Sequence, residues 1–398
     1  MLNKKSNELI LFFIKNKCLH KNREKINMFT KKLFGYLFNE IIKAEKIVNS
    51  LIISPKVEKV TSKHIPGDLL HVPHSIKKHI YQKSLFYIQY HFSLLDRTIT
   101  IHFVTETDSH LEIYNQYVKR MLIWLHILNS QLKNKSCSKV LNIYIYLSSV
   151  EKELPRNKDY ILDESNVNTA YTYSCKEDNI IVIFRKEEWF KVFIHETFHS
   201  FGMDFSSMNT STSRECILDI FNVNSEVNLF EAYSEFWARI MNSLFVSYYH
   251  CNKTIKDFLI KCEFFIYLER IYSFFQMIKV LKYMNIHYSD FFSTNSSVKI
   301  KYREKSNVLS YYIITNILIF HYQPFLSWCF NNNGSIDKIM NFKKDIESQK
   351  KMCLFVRQHY KTQFFFDSIF CMEKTMLELK DLNYSIKNNL RMTICELE

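Results

Sequence analysis

His195-Glu196-Thr197-Phe198-His199 lies in an apolar run, Lys191-Val192-Phe193-Ile194 before it and Phe201-Gly202 after it, and its reading decides the rest of the chain. At 3.6 residues per turn, positions i and i+4 stack on one helical face, so His195 and His199 can direct ring nitrogens to one point with Glu196 beside them. Phe198 and Phe201 fall on the opposite face, which gives the helix a buried side and a site side. Gly202 is placed to end it in a left-handed cap. Two imidazoles and an adjacent carboxylate fit a zinc site with its own base. Catalytic zinc takes three protein ligands and an open position, so a third ligand must come from elsewhere.

Two positions compete for that role. Glu231-Ala232-Tyr233-Ser234-Glu235 opens a second helical run downstream, with Glu231 and Glu235 on one face. In this reading Glu231 ligates, and Glu235 accepts a hydrogen bond from the far nitrogen of a ligating histidine. The rival is local: Gly202 stands at the spacing of the metzincin pattern, whose third ligand lies three residues beyond that glycine. Phe205 occupies the position, Asp204 is one residue short, and neither Met208 nor Met241 is placed to form a methionine turn.

The pair His195-Glu196-x-x-His199 and Glu231-x-x-x-Glu235 resembles the gluzincin zinc metallopeptidases, the group that includes thermolysin and the zinc aminopeptidases. The resemblance covers roughly residues 110 to 245. It departs in a longer gap between the two helices and in lacking the signatures of particular subfamilies, which leaves the substrate class open. Cys137-Ser138-Lys139, Leu141 to Leu147, Asn168-Thr169-Ala170-Tyr171 and Phe184 to Trp189 also look like uncharacterised HExxH proteins of large DNA viruses.

The resemblance implies an α+β fold: a zincin-like catalytic domain with a small mixed sheet and the HExxH helix, then a mostly helical C-terminal subdomain. It implies one Zn2+ per chain on His195, His199 and Glu231, and a peptide or protein substrate. Glu196 would act as general base, Glu235 would support a ligand, and the edge strand Asn168-Thr169-Ala170-Tyr171 would receive an extended substrate by strand addition. An oxyanion donor from the helical half is also implied. Tyr311 and Tyr312 are candidates, and Tyr233 is another.

Periodicity fills in the frame. A helix is expected over 26–53, an irregular connection over 54–76 containing His64, His71 and His74, and a hairpin of 85–92 with 98–104. A helix over 111–132, a strand over 140–147 and a second hairpin of 168–174 with 180–184 follow, the active helix starting near Lys186 or Glu187. Helical runs at 228–249, 255–285, 306–330 and 345–380 complete the chain, broken at turns such as Ser293 to Ser297. The expected divisions are a basic N-terminal region, 1–80, an α+β subdomain, 81–205, and a helical subdomain, 206–398, carrying the third ligand.

With 398 residues, 47% of them hydrophobic, the chain can bury a sizeable core, and only four Gly and five Pro argue against long flexible linkers. Ten cysteines without a CxxC pair read as free thiols in a reducing compartment. No apolar stretch reaches the length of a membrane span, and Leu9 to Ile14 is too short for a secretory leader, so a soluble cytoplasmic protein is expected, in host cytoplasm or virion if viral. The formal charge is +13, and residues 1 to 50 hold eleven Lys/Arg against four Glu, which suits an acidic partner or nucleic acid without naming one. A reading from another class also fits: a catalytically silent zincin-fold structural or assembly protein, virion-associated if viral, that keeps zinc for stability.

Overall fold

A computed structural model describes residues 2–15, 24–60, 65, 69–107, 110–292, 297–378 and 384–397. His64, Cys18 and most of the Ser293–Ser297 turn lie outside the described residues.

The fold is α+β, built on a six-stranded mixed sheet of order β1-β2-β3-β4-β6-β5. Its strands are β1 (Lys56–Lys59), β2 (Phe86–Leu94), β3 (Arg97–Thr105), β4 (Val140–Tyr146), β5 (Ala170–Thr172) and β6 (Asp178–Ile183). The β2–β3 hairpin turns on two residues, Leu95 and Asp96, both at φ 57°, the left-handed pair a tight hairpin requires. β3, β4 and β6 run parallel, and β5 closes one edge antiparallel to β6. Alternation sets the two faces. Ile99, Ile101, Phe103, Leu141, Ile143, Ile145, Ile181 and Ile183 face the main core, while Val104, Tyr146, Val182 and Phe184 meet a smaller cluster with Ile76 and Ile80.

The helices are α1 (Lys4–Lys15), α2 (Met28–Asn49), α3 (His74–Lys83), α4 (Leu111–Gln131), α5 (Glu164–Val167), α6 (Trp189–Ser200), α7 (Ser211–Leu218), α8 (Leu229–His250), α9 (Ile255–Tyr283) and α10 (Ser297–Lys301). After a π-helical turn at Leu309–Ile314 come α11 (Thr315–Phe320), α12 (Tyr322–Asn333), α13 (Ile346–His359), α14 (Gln363–Glu378) and α15 (Tyr384–Asn388). One core spanning Leu2 to Leu397 takes in most of them, α3 packing on the smaller cluster; α1 and α2 bury Leu9, Phe13, Leu33, Leu37 and Ile41 in the main core.

Four expectations are corrected. The 54–76 connection is not wholly irregular: β1 pairs with the outer edge of β2, and α3 begins at His74. Both elude periodicity, because β1 is a short, fully exposed polar edge strand and α3 buries only Ile76 and Ile80. The 345–380 run is two helices, interrupted at Tyr360-Lys361-Thr362, and 306–330 is divided by the π turn and by His321. Cys137 and Cys175 are not free thiols but form a disulfide, 38 residues apart. The parallel register explains it, since Val140 lies opposite Asp178 and so the residues three before each come together. With that pair oxidised, the cysteines no longer argue for a reducing compartment. Among the described residues no helix is long and apolar enough to cross a membrane.

Residues 389–397, for which periodicity predicts nothing, run as a buried segment between α6 and α9. Glu188, at φ 60° just before α6, accepts the backbone N–H groups of Met392 at 2.5 Å and Thr393 at 2.6 Å. Its other oxygen lies 2.5 Å from Lys152 Nζ. Glu269 accepts the N–H groups of Ile394 and Cys395 at 3.0 and 3.1 Å and pairs with Arg239 at 2.8 Å. Backbone donors that would otherwise be orphaned in the core are thereby satisfied.

Candidate metal centre

Helix α6 carries the site. It is buried along its whole length, its outer face packed by Phe198 and by the Trp124 indole, which donates to Thr197 Oγ1 at 2.8 Å. Gly202 ends it at φ 64°, with Gly202 N–H on His199 C=O and Met203 N–H on Phe198 C=O, a Schellman closure. A side chain at Gly202 would meet the Cys137–Cys175 bridge at 3.3–3.4 Å, so this glycine is required by both backbone and space.

His195, His199 and Glu231 form the one group of potential metal ligands found among the described residues. His195 Nε2 lies 3.1 Å from His199 Nε2 and 3.1 Å from Glu231 Oε2; His199 Nε2 lies 3.4 Å from the same oxygen. A tetrahedron with bonds of about 2.0–2.1 Å has edges of about 3.3 Å, so the three atoms are spaced as a zinc ligand face. Glu231 reaches it from the first turn of α8, which packs on α6.

Each histidine is held from behind by a carboxylate. His195 Nδ1 is 3.1 Å from Glu235 Oε2, whose oxygens also accept Lys191 Nζ at 2.9 and 3.0 Å. His199 Nδ1 is in a short hydrogen bond with Asp204 Oδ2. Asp204 is fixed in turn by Ser206, through N–H at 3.0 Å and hydroxyl at 2.7 Å, and by the Ser234 hydroxyl at 3.2 Å. With each Nδ1 held by a carboxylate, the Nε2 atoms are the ones that face the centre.

The buried charges of the site balance one another. Burial disfavours charge on both imidazoles, yet Glu231 and Glu235 raise the His195 pKa, and Asp204 and Glu231 raise that of His199 well above its ordinary value. Burial likewise opposes ionisation of Glu231 and Glu235, but the histidines hold Glu231 far below the carboxylate range, and Lys191 with His195 holds Glu235 at about 2. Glu196 is the exception: burial raises its pKa above the usual carboxylate value despite both histidines. Two protons thus balance carboxylates where a divalent ion would displace them, and the His2Glu donor set fits zinc.

Beside the ligands a cavity of about 240 Å3 is bordered by β5, Glu196, Phe230, Asn307 and Tyr311. Phe184 N–H donates to Thr169 C=O at 2.9 Å and Asn179 Nδ2 to Tyr173 C=O at 2.8 Å, so residues 169, 171 and 173 face β6. The antiparallel alternation then turns the backbone N–H and C=O of Ala170 and Thr172 to the open edge, above the cavity.

Of the expected residues, His195, Glu196, His199, Glu231, Glu235 and Tyr311 converge. Tyr311 OH donates to Glu231 Oε2 at 3.0 Å. Tyr312 points into the core and donates to Leu390 C=O at 2.6 Å; Tyr233 donates to Met340 C=O at 3.1 Å. Neither reaches the site. The edge strand starts two residues later than expected, at Ala170, with Asn168 and buried Thr169 leading into it. His71 stacks edge-on with Tyr171 at 5.0 Å and belongs to no metal group among the described residues. Asp204, set aside as a third ligand, stands behind His199 instead, and Lys191 was not expected here. Lys191, one turn before His195 in an apolar run, was a readable signal; Asp204 depends on the Schellman turn folding its carboxylate back. No family model matches this chain, nor does any curated protein or solved structure at a significant level.

Proposed function

We propose that this protein is a zinc-dependent peptidase, with His195, His199 and Glu231 as ligands. The observation that carries the reading is the convergence of those three donor atoms at tetrahedral spacing, each histidine braced by a carboxylate, beside a cavity under a free strand edge. When bound, zinc supplies a Lewis acid for the scissile carbonyl and acidifies a water. The chain's own groups do the rest. Glu196, buried and raised in pKa, takes the water proton and passes it to the departing amine. Tyr311, whose hydroxyl donates to Glu231, would stabilise the developing oxyanion by turning that O–H from the carboxylate to it. Ala170 and Thr172 hold the substrate backbone.

A structural zinc site would have a fourth protein ligand and no use for a base. Among the described residues three ligands converge and Glu196 lines the cavity, which favours catalysis. Protein purified without chelator is expected to hold one zinc per chain, and Glu196→Gln to keep the zinc while losing peptide cleavage at least 100-fold. Absence of zinc, or cleavage that survives the substitution, overturns the proposal.

A further inference from the structure

Resting on the peptidase reading, we infer that the site acts on chain ends and short peptides, not within long chains. Each end of the cleft along β5 is bridged by a side-chain hydrogen bond from a residue that flanks the strand. At one end the Ser306 hydroxyl donates to Asn168 Oδ1 at 2.7 Å. At the other the hydroxyls of Ser174 and Ser206 meet at 2.8 Å.

The first closure is built to last. Residues 304–307 form a strap across the Asn168 end, and each anchor is independent. Lys305 N–H donates to Leu162 C=O at 2.9 Å, and Glu304, largely buried, accepts Leu309 N–H at 2.9 Å and the Ser225 hydroxyl. Asn228, the residue before α8, donates to Asn307 Oδ1 at 3.0 Å. The strap is thus tied to α5, α7–α8 and the π turn at once, and it leads directly into Tyr311.

What remains between the closures is small. The cavity of about 240 Å3 falls below the range of about 300–1,000 Å3 typical of drug-sized ligand sites. Strand β5 has three residues, and at about 3.3 Å per residue it can pair with about three residues of substrate. Inward, past Glu196, a space of about 30 Å3 ends against Lys152 and Lys191, room for a single water and not for a side chain. A long chain laid along β5 would meet a bridge on either side, whereas a terminus or a di- or tripeptide lies between the two bridges.

The test uses the full-length, zinc-loaded protein and one ten-residue quenched peptide in two forms, with acetylated and amidated ends or with free ends, alongside tripeptides. The free-ended forms are expected to be cleaved with kcat/KM at least tenfold above the blocked peptide, releasing single residues or dipeptides by mass spectrometry. Internal cleavage of the blocked peptide within tenfold of the free one overturns the inference and leaves the peptidase reading intact. No hydrolysis of any form overturns that reading and the inference with it. Ser306→Ala, which removes the bridge to Asn168 and leaves the strap's other anchors in place, is expected to raise the blocked-to-free ratio at least threefold; an unchanged ratio overturns the bridge's role.

Discussion

The two histidines face the same point, yet their supports differ in kind. His195 leans on a buried charge network: Glu235 holds its Nδ1 and Lys191, and Glu188, paired with Lys152, clamps the C-terminal segment. His199 leans on one carboxylate, Asp204, whose other partners are the neutral groups of Ser206 and Ser234. The first support is also part of what holds the fold together, because each buried charge there is balanced by another. The second is a single pair. Perturbing the first should therefore unfold the protein as well as disarm it, and perturbing the second should disarm it with a smaller loss of stability.

The largest effect is expected at Glu188. Glu188→Gln leaves Lys152 uncompensated in the core and should cost about 3–5 kcal/mol in urea unfolding. Lys152, Lys191 and Arg391 overcome burial to hold the Glu188 pKa at about 2, below its unfolded value of about 4.5. A depressed pKa stabilises above the unfolded value and is lost as pH falls, so wild-type stability should decline from about pH 4.5 toward 2 and the variant should lose that part of the slope. A flat wild-type profile in this window would contradict the network.

Next come the two supports compared directly. Glu235→Gln and Asp204→Asn should each weaken zinc binding about 10–100-fold by chelator competition. Only Glu235→Gln, which strips Lys191 of its partner, should also lower the stability of the metal-free protein by about 3 kcal/mol or more. Equal losses of stability would erase the distinction between the two sides. Zinc at 1,000 times its dissociation constant should add about 4 kcal/mol to wild-type stability, removed by EDTA.

The smallest effects separate the adjacent tyrosines. Tyr311→Phe is expected to lower kcat about 10–100-fold with KM little changed, as for loss of an oxyanion donor. Tyr312→Phe should leave kcat unaltered and cost about 1 kcal/mol, from losing the bond to Leu390 C=O.

Much of the site was legible. The i,i+4 spacing of His195 with His199, and of Glu231 with Glu235, survives folding because helical periodicity is set by local hydrogen bonding. The edge position of β5 came from the resemblance and from no pattern within those residues. Choosing between Tyr311 and Tyr312 was out of reach, since the π turn sets which side chain faces the metal ligands. The buried tail was equally hidden: its partners, Glu188 and Glu269, lie more than 120 residues away and leave no local pattern.

By itself, then, the sequence determined the helices that carry the candidate ligands, their inward faces and the place of Glu196 beside them, all properties written within one or two helical turns. Tertiary structure alone decided that Asp204 braces His199, that Cys137 meets Cys175 across parallel strands, and that a strap from 304–307 closes the cleft. Those contacts depend on register and packing between segments remote in the chain, and no short-range spacing encodes them.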